Sequence, residues 1–571
     1  MKKINKYLTL VAVALLVFFA CDSVELDITD NPNSLTPDQA SIDFFINSIQ
    51  EDFVRQIDGD ADYDANDNWQ SGGATNGDGL SLFGSQLTRL MSLTSSKQYN
   101  SSFQGSDSDD EWTNAYTGIL QDIRTMTPAA EEAGLTRHVG VAQFIEAYLI
   151  TAMVDFYGDI PYTEAFQGEA NLNPILDSGA SIYDAALVLL DEAIANFQNT
   201  STANLGTDLF YNNNYSKWIK AANTLKMRLY NQRRLVDPSA LANIQAILNS
   251  GNYISSSADD FQFNWPGTSA SQPDTRHPRY GLNYTPTGGG DYMSNWLMNY
   301  MDTHNDPRLR YYFYRQTDCT PGSSCDPDGD EQTLQCSVQS APAHYISGGF
   351  TFCYLDNGYW GRDHMDNDGT PPDGFLRTTF GVYPAGGRFD DDSFGGALPG
   401  TGGGGAGITP ILTAAWVDFM QAEIAMANND PGTAMNFMSS GLSKHIAKVQ
   451  SFASLDMSAD LSFEPSATDV NDYISSVEAA FTSANMTGKW NILGEEYFVT
   501  VFGNGIESYN FYRRTGYPTT LQPSQDPNPG TFIRSMFYPA NAVNTNSNIN
   551  QKPDVAQPVF WDNNASAPAA N

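Results

Sequence analysis

A run from Val141 to Phe166, VAQFIEAYLITAMVDFYGDIPYTEAF, limits what this chain can fold into more than any other stretch. Its apolar residues Val141, Phe144, Ile145, Tyr148, Leu149, Ala152, Met153 and Phe156 recur at the steps of a helix that buries one face. Gly158 stands just past the last of them, where a left-handed cap is wanted, and Pro161 denies any continuation. A helix so patterned needs partner helices against its apolar face.

The same periodicity recurs elsewhere. It predicts helices over Asp43–Ile57, Asp107–Ala130, Ser181–Phe197 and Asn214–Arg234, then Ile408–Asn428, Pro431–Gln450, Asn471–Phe481 and Leu493–Phe502. Trp112, Trp218 and Trp416 fall on the apolar faces of these segments and are expected in the core. Helices arriving in pairs with short connections stack as tetratricopeptide-like units, although no fixed repeat period is legible. The expected fold is mainly α, a tetratricopeptide-like scaffold of helical pairs.

Residues 251–404 break this pattern. The segment is rich in Gly, Pro, Tyr, Asp and Asn, with one short helix expected over Tyr292–Met301, and it reads as a large, irregular, loop-rich insertion. Gly402 to Gly405 reads as a plain linker. Cys319, Cys325, Cys336 and Cys353 all lie here, and their spacing does not match paired zinc knuckles. Two disulfides are expected, with three connectivities open. Asp326, Asp328 and Asp330, and Asp363, Asp366 and Asp368, hint at a structural calcium ion, but neither set completes an EF-hand. No cofactor is required.

The N-terminus reads as an export signal. Lys2, Lys3 and Lys6 precede an apolar run too short to span a bilayer, and Cys21 directly follows Ala20, the pattern of a lipoprotein signal in which the thiol is acylated. Each buried lipid methylene would then contribute about 0.8 kcal/mol to membrane attachment. An acidic leader with Asp22, Glu25, Asp27 and Asp30 follows. The formal net charge is −37, which argues against nucleic acid as a partner. It also suits a neutral or cationic ligand better than a polyanion, unless a local basic patch overrules the average.

Catalytic signatures are missing. The helical body has no G-x-S-x-G elbow, no H-E-x-x-H occurs, and no phosphate-binding glycine motif opens a strand–helix unit. The chain reads as a binder, not an enzyme. Sugars are gripped by aromatic rings on their C–H faces, with amides and carboxylates on the hydroxyls, so aromatics on loops are the candidates. These are Trp265, the Trp296–Tyr300 pair one helical turn apart, and Tyr359-Trp360, together with the Asp67-Asn68-Trp69 cluster.

Several separated motifs carry a family resemblance: DFYGDIPYTEAF with NPILDSGASIYDAALVLLDEAI, then YSKWIKAANTLKMRLYNQR, then TAAWVDFMQAEIAMANND, then GIESYNFYRRTGYP, FIRSMFYPANAVN and the final VFWD. Together they resemble the SusD/RagB family of nutrient-binding outer-membrane lipoproteins. Arg534-Ser535 departs from the family's two arginines, and Ala542 stands where an acidic residue is common.

The resemblance implies a cell-surface lipoprotein in the outer membrane. It would capture an oligosaccharide and deliver it to a SusC-like TonB-dependent transporter. It also places ligand contacts near Asp67, Asn68 and Trp69. An oligopeptide ligand, a surface glycoside hydrolase and a scaffold or adhesion lipoprotein are the alternatives. The expected organisation is a signal over 1–20, an acidic tether over 21–36, helical scaffold over 37–250 and 405–505 around the 251–404 insertion, and an irregular C-terminal segment over 506–571.

Overall fold

The computed structural model describes residues 41–60, 79–268, 274–286, 288–318, 336, 339–355, 357–367 and 376–564. Cys21, Asp67, Asn68, Trp69, Cys319, Cys325, Asp326, Asp328, Asp330 and Asp368 lie outside them.

The first half is a succession of packed helices: α1 (Ile42–Asp58), α2 (Leu80–Leu87), α3 (Asp109–Thr113), a π-helical turn (Asn114–Leu120) leading into α4 (Gln121–Glu132), α5 (Thr136–Tyr157), α6 (Gly179–Gln198), α7 (Tyr215–Arg233) and α8 (Ala240–Ser250). Helix α5 packs along α6, α6 along α7, and α7 along α8. The sequence expected α5 to bury one face, and it is buried nearly all round. It is long and apolar enough to cross a membrane, but 94% of its apolar window is buried inside the protein. Its stop is glycine-specific: Gly158 has φ 82° and ψ −125°, a region closed to side chains, and its N–H donates to Val154 O at 2.8 Å.

Asp155, in the motif just before this stop, ties the helices together. Fully buried, its carboxylate accepts from Tyr183 Oη on α6, Trp561 Nε1 at 2.9 Å and Asn510 Nδ2 at 2.8 Å. Arg228 of α7 lies 3.4 Å away and also bonds Glu507. A buried carboxylate needs this many donors to offset its desolvation.

The second half contributes α9 (Asn295–Thr303), α10 (Ala414–Ala427), α11 (Pro431–Gln450), α12 (Ala467–Ser483), α13 (Met486–Thr500) and α14 (Gly505–Thr515). Helices α10 and α11 pack as a hairpin, and α12 and α13 join them. Pro431 occupies the first turn of α11, and Asp430 caps it by accepting from Thr433 N. The expected helix over Ile408–Asn428 begins instead with a strand, Ile408–Leu412, which pairs antiparallel with Phe261–Asn264. Pro410 and an all-buried apolar run favour that outcome, and Thr413 then caps α10 by accepting from Trp416 N.

The C-terminal segment, read as irregular, opens with α14. Its ten residues Gly505–Arg514 are buried, and it packs on α2. The two helices touch through glycines: a Cβ on Gly84 would lie 2.1 Å from Gly505 O. The motif residue Arg514 makes a two-pronged bond to Glu423 of α10, with both contacts at 2.7 Å, and Arg234 holds the same carboxylate at 2.7 Å.

The insertion shares the core of the helices. Tyr312 stacks between Phe502 and Tyr383 at 4.5 and 5.4 Å. Gly402–Gly405 is no linker: Gly403 N donates to Gly387 O and Gly405 N to Gly386 O, and a Cβ on Gly402 would sit 2.2 Å from Gly387 O. The glycines are there because two backbones meet.

Candidate functional site

A cleft of about 500 Å³ opens where the insertion meets the helical scaffold. Its walls come from three distant stretches: the end of α9 and the chain after it (Asp302, Asn305, Arg310, Arg315), the turn at Asn357 and Tyr359, and the approach to α12 (Phe463, Glu464).

A fixed buried network supports the floor. Arg308 is fully buried and donates to Asp306 Oδ2 at 2.6 Å, Glu496 Oε2 at 3.0 Å, Tyr473 Oη at 3.1 Å and Thr500 Oγ1 at 3.1 Å. Asp306 itself lines the cleft. Burial holds the Glu496 carboxyl above its ordinary range, against the pull of Arg308.

The wall is held the same way. Arg315 Nε donates to Asp390 Oδ2 at 2.7 Å and Nη1 to Asn357 O at 2.9 Å, with its guanidinium 4.7 Å from the centre of the Tyr359 ring. Arg310 donates to Asp392 Oδ1 at 2.8 Å and lies 5.3 Å over Phe463. The Arg310 bond holds the Asp392 carboxyl below the usual range. Asn357 and Gly358 both take positive φ, 71° and 80°, which turns the chain sharply into Tyr359.

Most of the expected contact residues do other work. Trp265 is buried, with its Nε1 donating to Thr409 Oγ1 at 2.8 Å. Trp296 is buried and donates to Thr520 O at 3.0 Å, while its ring lies 5.9 Å from Tyr300. Trp360 is buried among Cys336, Cys353 and their neighbours. None of these three offers a face to a ligand. Tyr300 is half-buried, donates to Glu496 Oε1 at 2.9 Å and so buttresses the network under the cleft. Tyr359 lines the cleft, but its hydroxyl turns inward toward Asp390 at 3.4 Å, and burial raises its pKa. Phe463 is 37% exposed, with the Arg310 guanidinium lying over its ring, and the sequence reading passed over it. An aromatic between Ser462 and Glu464, just before the Ser466 cap of α12, was the available signal.

Cys336 and Cys353 form a disulfide with Cα atoms 5.4 Å apart. The expected calcium ligands Asp363 and Asp366 do not converge on an open site. Asp363 is fully buried, and its oxygens accept from Asn295 Nδ2 (2.9 Å), Gln522 Nε2 (2.9 Å) and Cys353 N (2.7 Å). Asp366 faces Arg362 at 3.9 Å. Among the described residues no group of three or more His, Cys, Asp or Glu could hold a metal.

A scaffold of helical pairs with a ligand-sized cleft at the edge of a loop insertion defines a class of binding protein. The family model that matches this chain, over residues 63–341 and 403–539, is SusD-like, described as starch-binding associating with outer membrane. The chain belongs to that family.

Solved structures agree on the fold. A SusD/RagB family protein from Bacteroides thetaiotaomicron superposes with a TM-score of 0.64 at 16% identity, covering 92% of this chain and 100% of that one. A chitin-binding SusD homolog from Flavobacterium johnsoniae gives 0.61 at 16% identity, with 92% and 99% covered. A protein described as chitin-binding gives 0.56 at 19%, with 84% and 94% covered. No curated protein sequence matches the chain.

Proposed function

We propose that this protein captures a neutral oligosaccharide at the outer face of the outer membrane, anchored there through acylated Cys21, and passes it to a SusC-like TonB-dependent transporter. The cleft carries this reading. Phe463 offers a half-exposed ring, and Asn305, Asn357 and Arg310 offer amides and a guanidinium around it, the pairing of apolar face and polar rim that sugars require. The family description and the two chitin-binding structural relatives favour a glycan over a peptide. Nothing in the cleft needs to change covalently, and handover requires only an off-rate fast enough for release.

Titration calorimetry of the purified protein with chitohexaose and maltohexaose tests the reading. Saturable binding of at least one, without products, and at least tenfold weaker binding by Phe463→Ala are expected. Silence toward both sugars, or turnover of either, contradicts it. A barrel protein co-purifying from detergent-solubilised membranes is expected as the transporter partner.

A further inference from the structure

A second cleft, of about 670 Å³, shares no lining residue with the first. It lies between the first turns of α7, the strand Phe261–Asn264 and the last turns of α11. Its chemistry differs from the rest of the molecule. The chain has eleven lysines, three of them in its first six residues; of the other eight, Lys217, Lys444 and Lys448 line this cleft. Lys220 flanks it, bonded to Asp259 Oδ2 at 2.7 Å. In a protein of net charge −37 this gathering is not an average outcome.

The carboxylates close by cancel part of this charge and leave one of the four ammonium groups unmatched. Lys448 pairs with Asp260 at 2.7 Å, Lys444 with Asp418 at 2.7 Å and Lys220 with Asp259. Among the described residues Lys217 pairs with no carboxylate; it donates to Ala258 O and lies 5.7 Å from the centre of the Tyr211 ring. Each ammonium carries three N–H donors, so Lys217 and Lys444 retain donors after these bonds. Phe210 and Phe452, both half-buried, supply ring surface in the same cleft.

We propose that this cleft binds a carboxylated sugar unit, a hexuronate within an oligosaccharide, with its C–H face on the phenyl rings and its carboxylate on the lysine ammonium groups. Rings alone would take a neutral sugar and ammonium groups alone any anion; the combination selects an acidic sugar. The inference deepens the glycan-capture reading and rests on it for the sugar part of the ligand.

The test is calorimetry with tetragalacturonate, tetraglutamate and chitohexaose on the wild type, the Lys217→Gln/Lys444→Gln double variant and Ser451→Asp. Ser451 is exposed on the cleft rim at the end of α11, so the last variant adds a negative charge there at the cost of the one bond its hydroxyl donates to Lys448 O at 2.6 Å. Tetragalacturonate is expected to bind the wild type, more weakly as salt rises. At least tenfold loss is expected in both variants, with chitohexaose affinity unchanged as the sign that each variant remains folded. Three results would overturn the proposal: no tetragalacturonate binding by a protein that binds chitohexaose, unchanged binding by both variants, or tetraglutamate binding as tightly. Failure of every sugar to bind would remove the glycan-capture reading along with it.

Discussion

Replacing Glu423 by Gln would leave Arg234 and Arg514 facing one another in a buried site with no carboxylate between them. Breaking such a cluster from one side costs about 3–5 kcal/mol, because the remaining charges stay desolvated. Glu423→Gln is therefore expected to lower the urea midpoint strongly; a change worth under about 1 kcal/mol would contradict the assignment.

Buried carboxyls also set the pH response. Burial raises Asp52 to about 7, and Asp58 and Asp363 to about 6, from an ordinary 3.8. The folded state then keeps protons that the unfolded chain has released. Their contribution is full below pH 3.8 and is lost as pH rises through 6 to 7. Glu423 works the other way. Against its burial, Arg234 and Arg514 depress it to about 2 from 4.5, so its contribution is present above pH 4.5 and lost as pH falls toward 2. Calorimetric melting between pH 3 and 8 is expected to peak in the mildly acidic range, with Asp52→Asn flattening the alkaline side. A melting temperature still climbing toward pH 8 would contradict this.

Residue chemistry was the least legible layer. Residue type alone marked Trp265, Trp296 and Trp360 as ligand contacts, yet a long insertion with few helices must build its core from loop aromatics, and these tryptophans are that core. Phe463 gave only a local signal.

At the level of elements, capping and punctuation were legible where they act locally. The expected limits of α11, Pro431–Gln450, are those observed, because Asp430 and Pro431 define its start. The Ile408–Leu412 strand was not legible, since a short buried apolar run carries no period of its own. Nor was the role of Gly402–Gly405, whose partner Gly386–Gly387 is distant in sequence.

Gly158 and Gly505 separate two reasons for glycine. Among the described residues no atom lies within 4 Å of a Cβ on Gly158, so Gly158→Ala should cost only its backbone conformation, about 1–3 kcal/mol. A Cβ on Gly505 would sit 2.0 Å from Ser85 N, so Gly505→Ala must part α14 from α2. Its melting temperature should fall well below that of Gly158→Ala; the reverse order would contradict the packing.

For the whole molecule, the motifs that carry the family resemblance prove to be structural. Asp155, Arg228, Glu423, Arg513, Arg514 and Trp561 bond to one another or to buried backbone across the helices. They make the scaffold legible and say nothing of the ligand. The cleft, by contrast, is assembled from residues near 302–315, 357–359 and 463–464, whose proximity no local pattern records. The proposed acylation of Cys21 concerns the whole chain too. Cys21→Ser should release the protein from the membrane fraction into the soluble one, and retention there would contradict lipid anchoring.

The central claim is that a helical frame presents a cleft at its seam with the insertion and grips a neutral sugar there without transforming it. Hydrogen–deuterium exchange of the purified protein, with and without a saturating neutral oligosaccharide such as chitohexaose, tests it most directly. Protection confined to peptides spanning 302–315, 357–359 and 463–469, with the helices unchanged, is the expected result. Protection absent from those peptides while the sugar is demonstrably bound would contradict it.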